Sequence, residues 1–374
     1  MAKIKAKGIS SDSDLWKDAS GQKSLLCRTQ LKLTCLSSAP LFYLLKLQLL
    51  SLYLFSYLFN IADWTPSSHN SCILEYSSNT VEHRSSRLEY RFTNPSAQPV
   101  PGKQNVLVLT LVRDHKSWGQ GRRVSDFMNI VQGFDYPLAN INLGILASDK
   151  KEFNAIIKHI KQIPGDMTHF FPNIRVILRE KDSGISRENR KDENSQRDRR
   201  RLIARLRNYL LYSTLQDEDS VLWIDSDMVM VPKNLLQRMI DSGKDVLTTA
   251  TRMGPNGGFM DFNAWVGERI TPNAEEQAVI ERGGIFVPYP KNVKYTHELD
   301  EEFGELDSVG GTVLFVRGEV HREGVAFTTN YVIGAGWKYE GYDGIESEGL
   351  CYVAGFLGYK CWGMPYDIAE HSED

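Results

Sequence analysis

The sequence is short of cysteine, of net charge and of repeats, and each shortage narrows what it can be. Five cysteines stand in 374 residues. Cys27, Cys35, Cys72, Cys351 and Cys361 form no CxxC or zinc-type spacing, which sets aside a cysteine-built metal or redox motif. Lysine and arginine (44) are matched by aspartate and glutamate (47), for a formal net charge of -3. The broad basic field that nucleic-acid binding usually needs is absent, so no nucleic-acid partner is expected. No internal repeat is visible. The only Asn-x-Ser/Thr triplet starts at Asn94 and is blocked by Pro95, which argues neither for nor against a secretory route.

What is present suits a globular body with an anchor. Hydrophobic residues make up 41% and charged residues 24%, enough for a large core. Residues 1–38 are polar and lean basic. Leu41–Ala62, LFYLLKLQLLSLYLFSYLFNIA, is long enough to span a bilayer as a helix. Lys46 and Gln48 inside it are costly, although Lys46 can snorkel to the nearer face. No clear small-residue cleavage site follows, so the segment reads as an anchor rather than a removed signal peptide. The positive flank precedes it, which predicts a cytoplasmic N-terminus and a translocated body. The expected organisation is a tail (1–38), an anchor (39–62), a Ser/Thr/Asn/Pro-rich stem (63–104) and a catalytic domain (105–374). Cys351 and Cys361 then share the far side, where they pair if it is oxidising or remain two buried thiols.

From Asn105 the pattern changes. Asn105–Val112 is a continuous apolar, β-branched run, as a buried parallel strand should be. Ile141–Ser148, Ile174–Leu178 and Ser220–Asp225 read as further strands. Helices are expected near Arg123–Gly133, over Lys150–Ile163 and near Asp198–Leu215. Strands alternating with helices imply an α/β fold with a mostly parallel, Rossmann-like sheet.

The strongest chemical signal is VLWIDSDMVMVP, Val221–Pro232. An apolar strand runs into Asp225 and Asp227, and in open α/β sheets ligands bind beyond the carboxyl ends of strands. Residues two apart in extended chain point the same way, so both carboxylates can face one ion. Hard oxygen ligands suit Mg2+ or Mn2+, which would stabilise a leaving diphosphate. The plainer alternative is an acidic turn in which Asp227 caps the next segment. A phosphotransferase using Asp225 as nucleophile is disfavoured, because such enzymes place the pair on their first strand and here it ends the fourth.

The chain resembles the fungal family of Golgi α-1,6-mannosyltransferases that form the mannan-polymerase complexes. The resemblance rests on VLVLTLVRD, FDYPLANINLGILASD, ARLRNYLL, VLWIDSDMVMVP, MDFNAWVGE, DSVGGTVLFVRGEVHREG, EGYDGIESEGLCYVAGFLGYKCWGMP and His371, in order across 105–374. It implies a GT-A fold, GDP-mannose as donor, a mannan or N-glycan acceptor and Mn2+ as cofactor. It also implies retention of configuration, a type II Golgi membrane protein with a lumenal catalytic domain, and assembly with related subunits. An inactive or weakly active partner subunit is the main alternative.

Individual residues carry competing readings. Arg113 and Asp114, ending the first strand, face the nucleotide in a GT-A fold, or else form a surface ion pair. Arg207 and Asn208 fall in the family's motif. A guanidinium fork suits a diphosphate, but most arginines of RDRRRLIARLRNYLL form a solvated face. Asp261, Asn263 and Trp265 alternate, so a strand would set a carboxylate, an amide and a ring on one face as a sugar platform. The alternative is a core tryptophan beside two turn residues. Gly310 and Gly311 allow close backbone approach to a ligand, or a tight turn. Asp343 is the first choice and Glu346 the second for orienting the acceptor hydroxyl, although acids before a helix also serve as caps. In this family a terminal histidine completes the metal site, which makes His371 the third ligand beside Asp225 and Asp227.

Overall fold

The computed structural model describes residues 88–163, 170–180, 193–286 and 290–373. The basic N-terminal stretch, the Leu41–Ala62 segment, Cys27, Cys35, Cys72 and most of the expected stem lie outside them. Among the described residues, no helix is long and apolar enough to cross a membrane.

The domain starts earlier than expected. Strand β1 (Leu88–Thr93) pairs antiparallel with β4 (Asn173–Leu178), Leu88 opposite Leu178 and Thr93 opposite Asn173. Tyr90 and Phe92 alternate inward and are buried, so this part of the 63–104 segment is an edge strand. Its period of two was hidden because it is short and its alternate positions, Glu89, Arg91 and Thr93, are polar.

The centre of the sheet follows from its composition. β2 (Val106–Val112), β3 (Ile141–Ala147), β4 and β5 (Ser220–Ile224) are almost wholly buried. They run parallel, β2 lying between β3 and β5. Alternate residues of β2 feed two cores. Val106 and Val108 pack with Phe127 and Met128 of α1 (Val124–Gln132) and Phe153 and Ile156 of α2 (Lys150–Ile160). Leu107 and Leu109 pack with Leu206 and Leu210 of α3 (Glu193–Thr214) on the other face. The result is a three-layer α/β/α domain. Asp149 starts α2 by accepting from the Glu152 N–H at 3.0 Å, a capping bond that fixes where the chain leaves β3.

After β5 come β6 (Met228–Met230), α4 (Leu235–Asp241), β7 (Val246–Met253), β8 (Phe259–Met260), β9 (Trp265–Glu268), α5 (Ala274–Glu281), β10 (Lys291–Tyr295), β11 (Gly304–Leu306), β12 (Val313–Arg317), α6 (Gly318–Arg322), α7 (Glu348–Phe356) and β13 (Cys361–His371). The sheet order is β1-β4-β3-β2-β5-β12-β7-β13-β11, with β6 on β13 and β8 on β7. From β4 to β13 every strand runs the same way except β12, which is antiparallel to both β5 and β7. Two features mark this end of the sheet. Cys351 of α7 and Cys361 of β13 are joined by a disulfide, their Cα atoms 5.9 Å apart. β13 runs beside β7 until His371 pairs with Met228 and Met253, so the last strand delivers a histidine to the end of the Asp225–Asp227 turn.

Candidate active site

A cleft of about 690 Å³ opens where β2 and β5 end, bounded by the first turns of α3, the Met260–Asn263 turn, Gly311, Thr312, Glu346 and the His371–Ser372 terminus. The turn after β5 is held from both sides. Asp225 N–H donates to the Thr312 carbonyl at 2.8 Å, and the Ser226 hydroxyl donates to the Ser117 carbonyl at 2.6 Å. Both Asp225 and Asp227 therefore line the cleft, as the strand-end argument required.

Each carboxylate meets a cation of the chain. Asp225 Oδ1 accepts from Arg207 Nη2 at 2.8 Å. The same nitrogen donates to the Gly311 carbonyl at 3.0 Å, and Arg207 Nη1 lies 3.3 Å from Glu346 Oε1. The Arg207 side chain is only 5% exposed, and its guanidinium sits over the rings of Phe327 and Trp223 at 5.0 and 5.6 Å. Burial alone would lower its pKa, but Glu346, Asp225 and Asp261 more than offset that and raise it, so Arg207 is a fixed positive charge. Asp227 Oδ1 lies 3.1 Å from His371 Nε2, and His371 Nδ1 lies 2.7 Å from the Ser372 carbonyl oxygen. Burial disfavours the imidazolium, yet the hydrogen bond to Asp227 and the charge of that carboxylate hold its pKa up at about 9. Burial pushes Asp225 up to about 7 against the pull of Arg207, with Asp227, Glu346 and Asp261 adding repulsion.

This geometry tests the expected metal site. Among the described residues no group of three His, Cys, Asp or Glu side chains is arranged to hold an ion, and Arg207 and His371 each engage one oxygen of the pair. The donor chemistry nevertheless fits a hard divalent cation. Asp225, Asp227, Asp261 and Glu346 converge on one cleft, and it is this crowding, added to burial, that holds Asp225 up near 7. A divalent cation relieves such repulsion.

Other expectations divide. Arg113 lines the cleft, but Asp114 does not. Its side chain accepts from the Lys116 N–H at 2.9 Å and caps the 3-10 turn His115–Trp118. Asn208 is likewise turned away: its amide donates to the Phe327 carbonyl at 2.7 Å and accepts from the Phe327 N–H at 2.9 Å. It clamps backbone and does not reach the cleft.

The one-face platform of Asp261, Asn263 and Trp265 is not formed, because the chain turns at Asp261 (φ 61°) instead of extending. Asp261 and Asn263 line the cleft, while Trp265 begins β9, buried, with the Arg269 guanidinium over its ring at 4.7 Å. Gly310 and Gly311 make room for side chains of this site. A Cβ on Gly310 would stand 2.0 Å from Asp261 Oδ2, and one on Gly311 2.5 Å from Arg207 Nη1. Asp261 Oδ2 in turn accepts from the Thr312 hydroxyl at 2.7 Å.

The two acids are placed differently. Asp343 and Glu346 are equally buried, at 8%, but Asp343 is paired with Arg269 and does not line the cleft, whereas Glu346 does. Glu346 is held at φ 61°, a left-handed conformation that costs a non-glycine residue about 1–2 kcal/mol. That turn swings its carboxylate round to Arg207.

Sequence reasoning passed over Arg200, which lines the cleft, salt-bridges Glu348 at 2.8 Å and reaches Asn263 Oδ1 at 3.4 Å. Burial pushes Glu348 up to about 7 despite Arg200. Arg200 lies seven residues before Arg207, two helical turns along one face, and that spacing was readable.

An Asp-x-Asp turn ending a central parallel strand, beside an antiparallel strand in a sheet covered by helices on both faces, defines a GT-A-type fold. The family model of Anp1 matches residues 86–331, and the chain belongs to the Anp1 family. It is 29% identical over 299 residues to the mannan polymerase complex subunit mnn9 of Schizosaccharomyces pombe, covering 75% of this chain and 83% of that protein. It is 26% identical over 267 residues to the mannan polymerase II complex ANP1 subunit of Saccharomyces cerevisiae, covering 66% of this chain and 51% of that protein. Among solved structures it is similar to the mannosyltransferase PcManGT from Pyrobaculum calidifontis in complex with GDP-Man and Mn2+. The TM-score there is 0.41 at 11% identity, over 74% of this chain and 59% of that one, a likeness too remote to bear on chemistry.

Proposed function

We propose that the chain is a retaining mannosyltransferase that moves mannose from GDP-mannose to an α-1,6-mannan chain on N-glycans. It would use Mn2+, or Mg2+, held by Asp225, Asp227 and His371. The observation that carries this reading is the single cleft above the strand ends into which Asp225, Asp227, Arg207, Glu346 and His371 all project, in a chain of the Anp1 family. Its similarity to mannan polymerase subunits supports assembly with related subunits. A Golgi location, with the body lumenal behind the Leu41–Ala62 anchor, belongs to the same proposal.

A bound cation would neutralise the donor diphosphate and make it a better leaving group. The chain's own residues then have separable tasks. Arg207 holds Asp225 and Glu346 in register and keeps its charge whether or not a ligand is present. Arg113 and Lys116, at the end of β2, take the nucleotide side. Glu346 orients the acceptor hydroxyl, with Asp261 and Asn263 beside it. The C1–oxygen bond to the diphosphate breaks, the acceptor oxygen bonds to C1 on the same face, and the hydroxyl proton passes to the departing diphosphate, so no protein nucleophile is required.

The test is mannose transfer from GDP-mannose by the full chain and by Asp227→Ala. Loss of transfer in a folded variant is expected, and undiminished transfer would refute the reading. A second reading, a partner subunit with little catalysis of its own, is favoured by one observation: both aspartates are already paired with Arg207 and His371. Under that reading the purified chain binds neither GDP nor metal, while still assembling with its partners.

A further inference from the structure

Arg200 and Arg207 lie seven residues apart on the face of α3 that lines the cleft, and they are not equivalent. Arg207 is sealed: its side chain is spent on Asp225, Gly311 and Glu346. Arg200 stands two turns, about 10 Å, nearer the start of the helix, with its side chain 30% exposed. Its Nη1 donates to Glu348 Oε1 at 2.8 Å and its Nη2 to Asn263 Oδ1 at 3.4 Å. Among the described residues those bonds use two of the five N–H donors of a guanidinium, and the second is long enough to yield to a ligand. Arg200 and Asn263 both line the cleft, whereas Glu348 does not.

The charges around Arg200 decide what it can bind. Burial alone would lower its pKa, but Glu348 first, then Glu346 and Tyr331, raise it above its ordinary value. Arg200 therefore reaches the cleft with its charge already met. A diphosphate brought there would meet the repulsion of both carboxylates as well as the pull of the arginine. A neutral polyol fits better. A sugar hydroxyl both donates and accepts, the guanidinium edge donates in a planar fork, and the Asn263 amide does both. The position also fits. Arg207 holds Glu346 and Arg200 holds Glu348, so the stretch that carries the acceptor-side acid is tied to α3 at two points, and Arg200 marks the end of the cleft away from Asp225.

We propose that Arg200 and Asn263 bind the acceptor sugar through its hydroxyls, beside Glu346, and that Glu348 is a positioning residue that sets the Arg200 guanidinium. The identity of the sugar rests on the mannosyltransferase reading, and the preference for a neutral saccharide at this end of the cleft does not. Because these groups act on acceptor binding and not on the departing diphosphate, their loss should appear in the acceptor KM and not in kcat.

The experiment uses the full chain with α-1,6-mannobiose as acceptor, at a pH above the value of about 7 to which burial pushes Glu348. The variants are Arg200→Lys, which keeps a positive charge opposite Glu348 but loses the fork, and Glu348→Gln. Arg200→Lys should raise the acceptor KM about tenfold, with kcat within about twofold and the melting-temperature rise with GDP and Mn2+ unchanged. Glu348→Gln should raise the same KM about threefold, because an amide still accepts a hydrogen bond from Arg200 but without the charge. Saturation-transfer NMR without donor should show mannobiose bound by the parent chain and not by Arg200→Lys. An unchanged acceptor KM in a folded Arg200→Lys overturns the proposal and leaves the proposed activity standing. Loss of the GDP–Mn2+ rise in that variant also overturns it, by placing Arg200 on the donor side. If the parent chain transfers nothing from GDP-mannose, the activity falls and the NMR comparison still decides the site: equal binding by parent and variant, or none by either, overturns it.

Discussion

Two stretches line the same cleft and were built by different rules. Val106–Asp227 contributes through strand ends and helix faces. Phe259–Ser347 contributes through turns, two of them forced into the left-handed region at Asp261 and Glu346. In the first stretch a side chain's direction follows from periodicity, so position in the sequence implies position in the cleft. In the second, direction is set by backbone reversals and by which arginine each acid meets: Asp343 and Glu346 are three residues apart, and one faces Arg269 while the other faces Arg207.

The largest expected effect breaks the joint between the two stretches. Arg207→Met leaves the buried Glu346 and the partly exposed Asp225 without their shared cation, which should cost about 3 kcal/mol in urea unfolding, the low end for breaking a buried pair because water reaches Asp225, along with all transfer. A loss near zero would mean that the carboxylates are not coupled through Arg207.

The next sharpens the contrast between the two acids. Glu346→Gln should lower kcat about 100-fold with little change in stability. Asp343→Asn should leave kcat nearly intact and lower the melting temperature, because it strands Arg269. Reversed results would restore Asp343 as the acceptor-side acid.

A third test concerns the scaffold away from the cleft. His321 is buried, its Nδ1 2.7 Å from the Val325 carbonyl oxygen and its Nε2 without a partner among the described residues. Burial lowers its pKa from 6.5 to about 4. Between those values the unfolded chain takes up a proton that the native ring refuses. The stability from this group is therefore complete above about pH 6.5 and is lost as pH falls towards 4, by up to about 3 kcal/mol. His321→Gln should flatten that part of the pH–stability curve, and an unchanged slope would show that other groups set it.

The smallest effect is expected from Asn208→Ala, which removes two backbone bonds to Phe327 and should cost about 1–2 kcal/mol while leaving the donor KM alone. A raised donor KM with unchanged stability would return Asn208 to the binding site.

The parallel core, the strand-end aspartates and the arrival of His371 were legible because apolar runs, a strand-terminal Asp-x-Asp and a family-specific terminal histidine are local patterns. β1 was missed because six half-polar residues resemble linker. Trp265 was misplaced because an alternating Asp-x-Asn-x-Trp reads as strand, whereas Asp261 starts a turn. Arg200 was lost among neighbouring arginines, although its seven-residue spacing from Arg207 marked the same face. The pairing of Cys351 with Cys361 was an open alternative that the proximity of α7 and β13 settles.

The central claim is that Asp225, Asp227 and His371 seat a cation that grips a nucleotide diphosphate. The most direct test is the melting temperature of the full chain with GDP, Mn2+ and both together, beside Asp227→Ala. At 100 times Kd the pair should raise it by about 5 °C, with GDP alone giving little and Asp227→Ala giving none. An equal rise with GDP in the absence of metal, or an undiminished rise in Asp227→Ala, would contradict it.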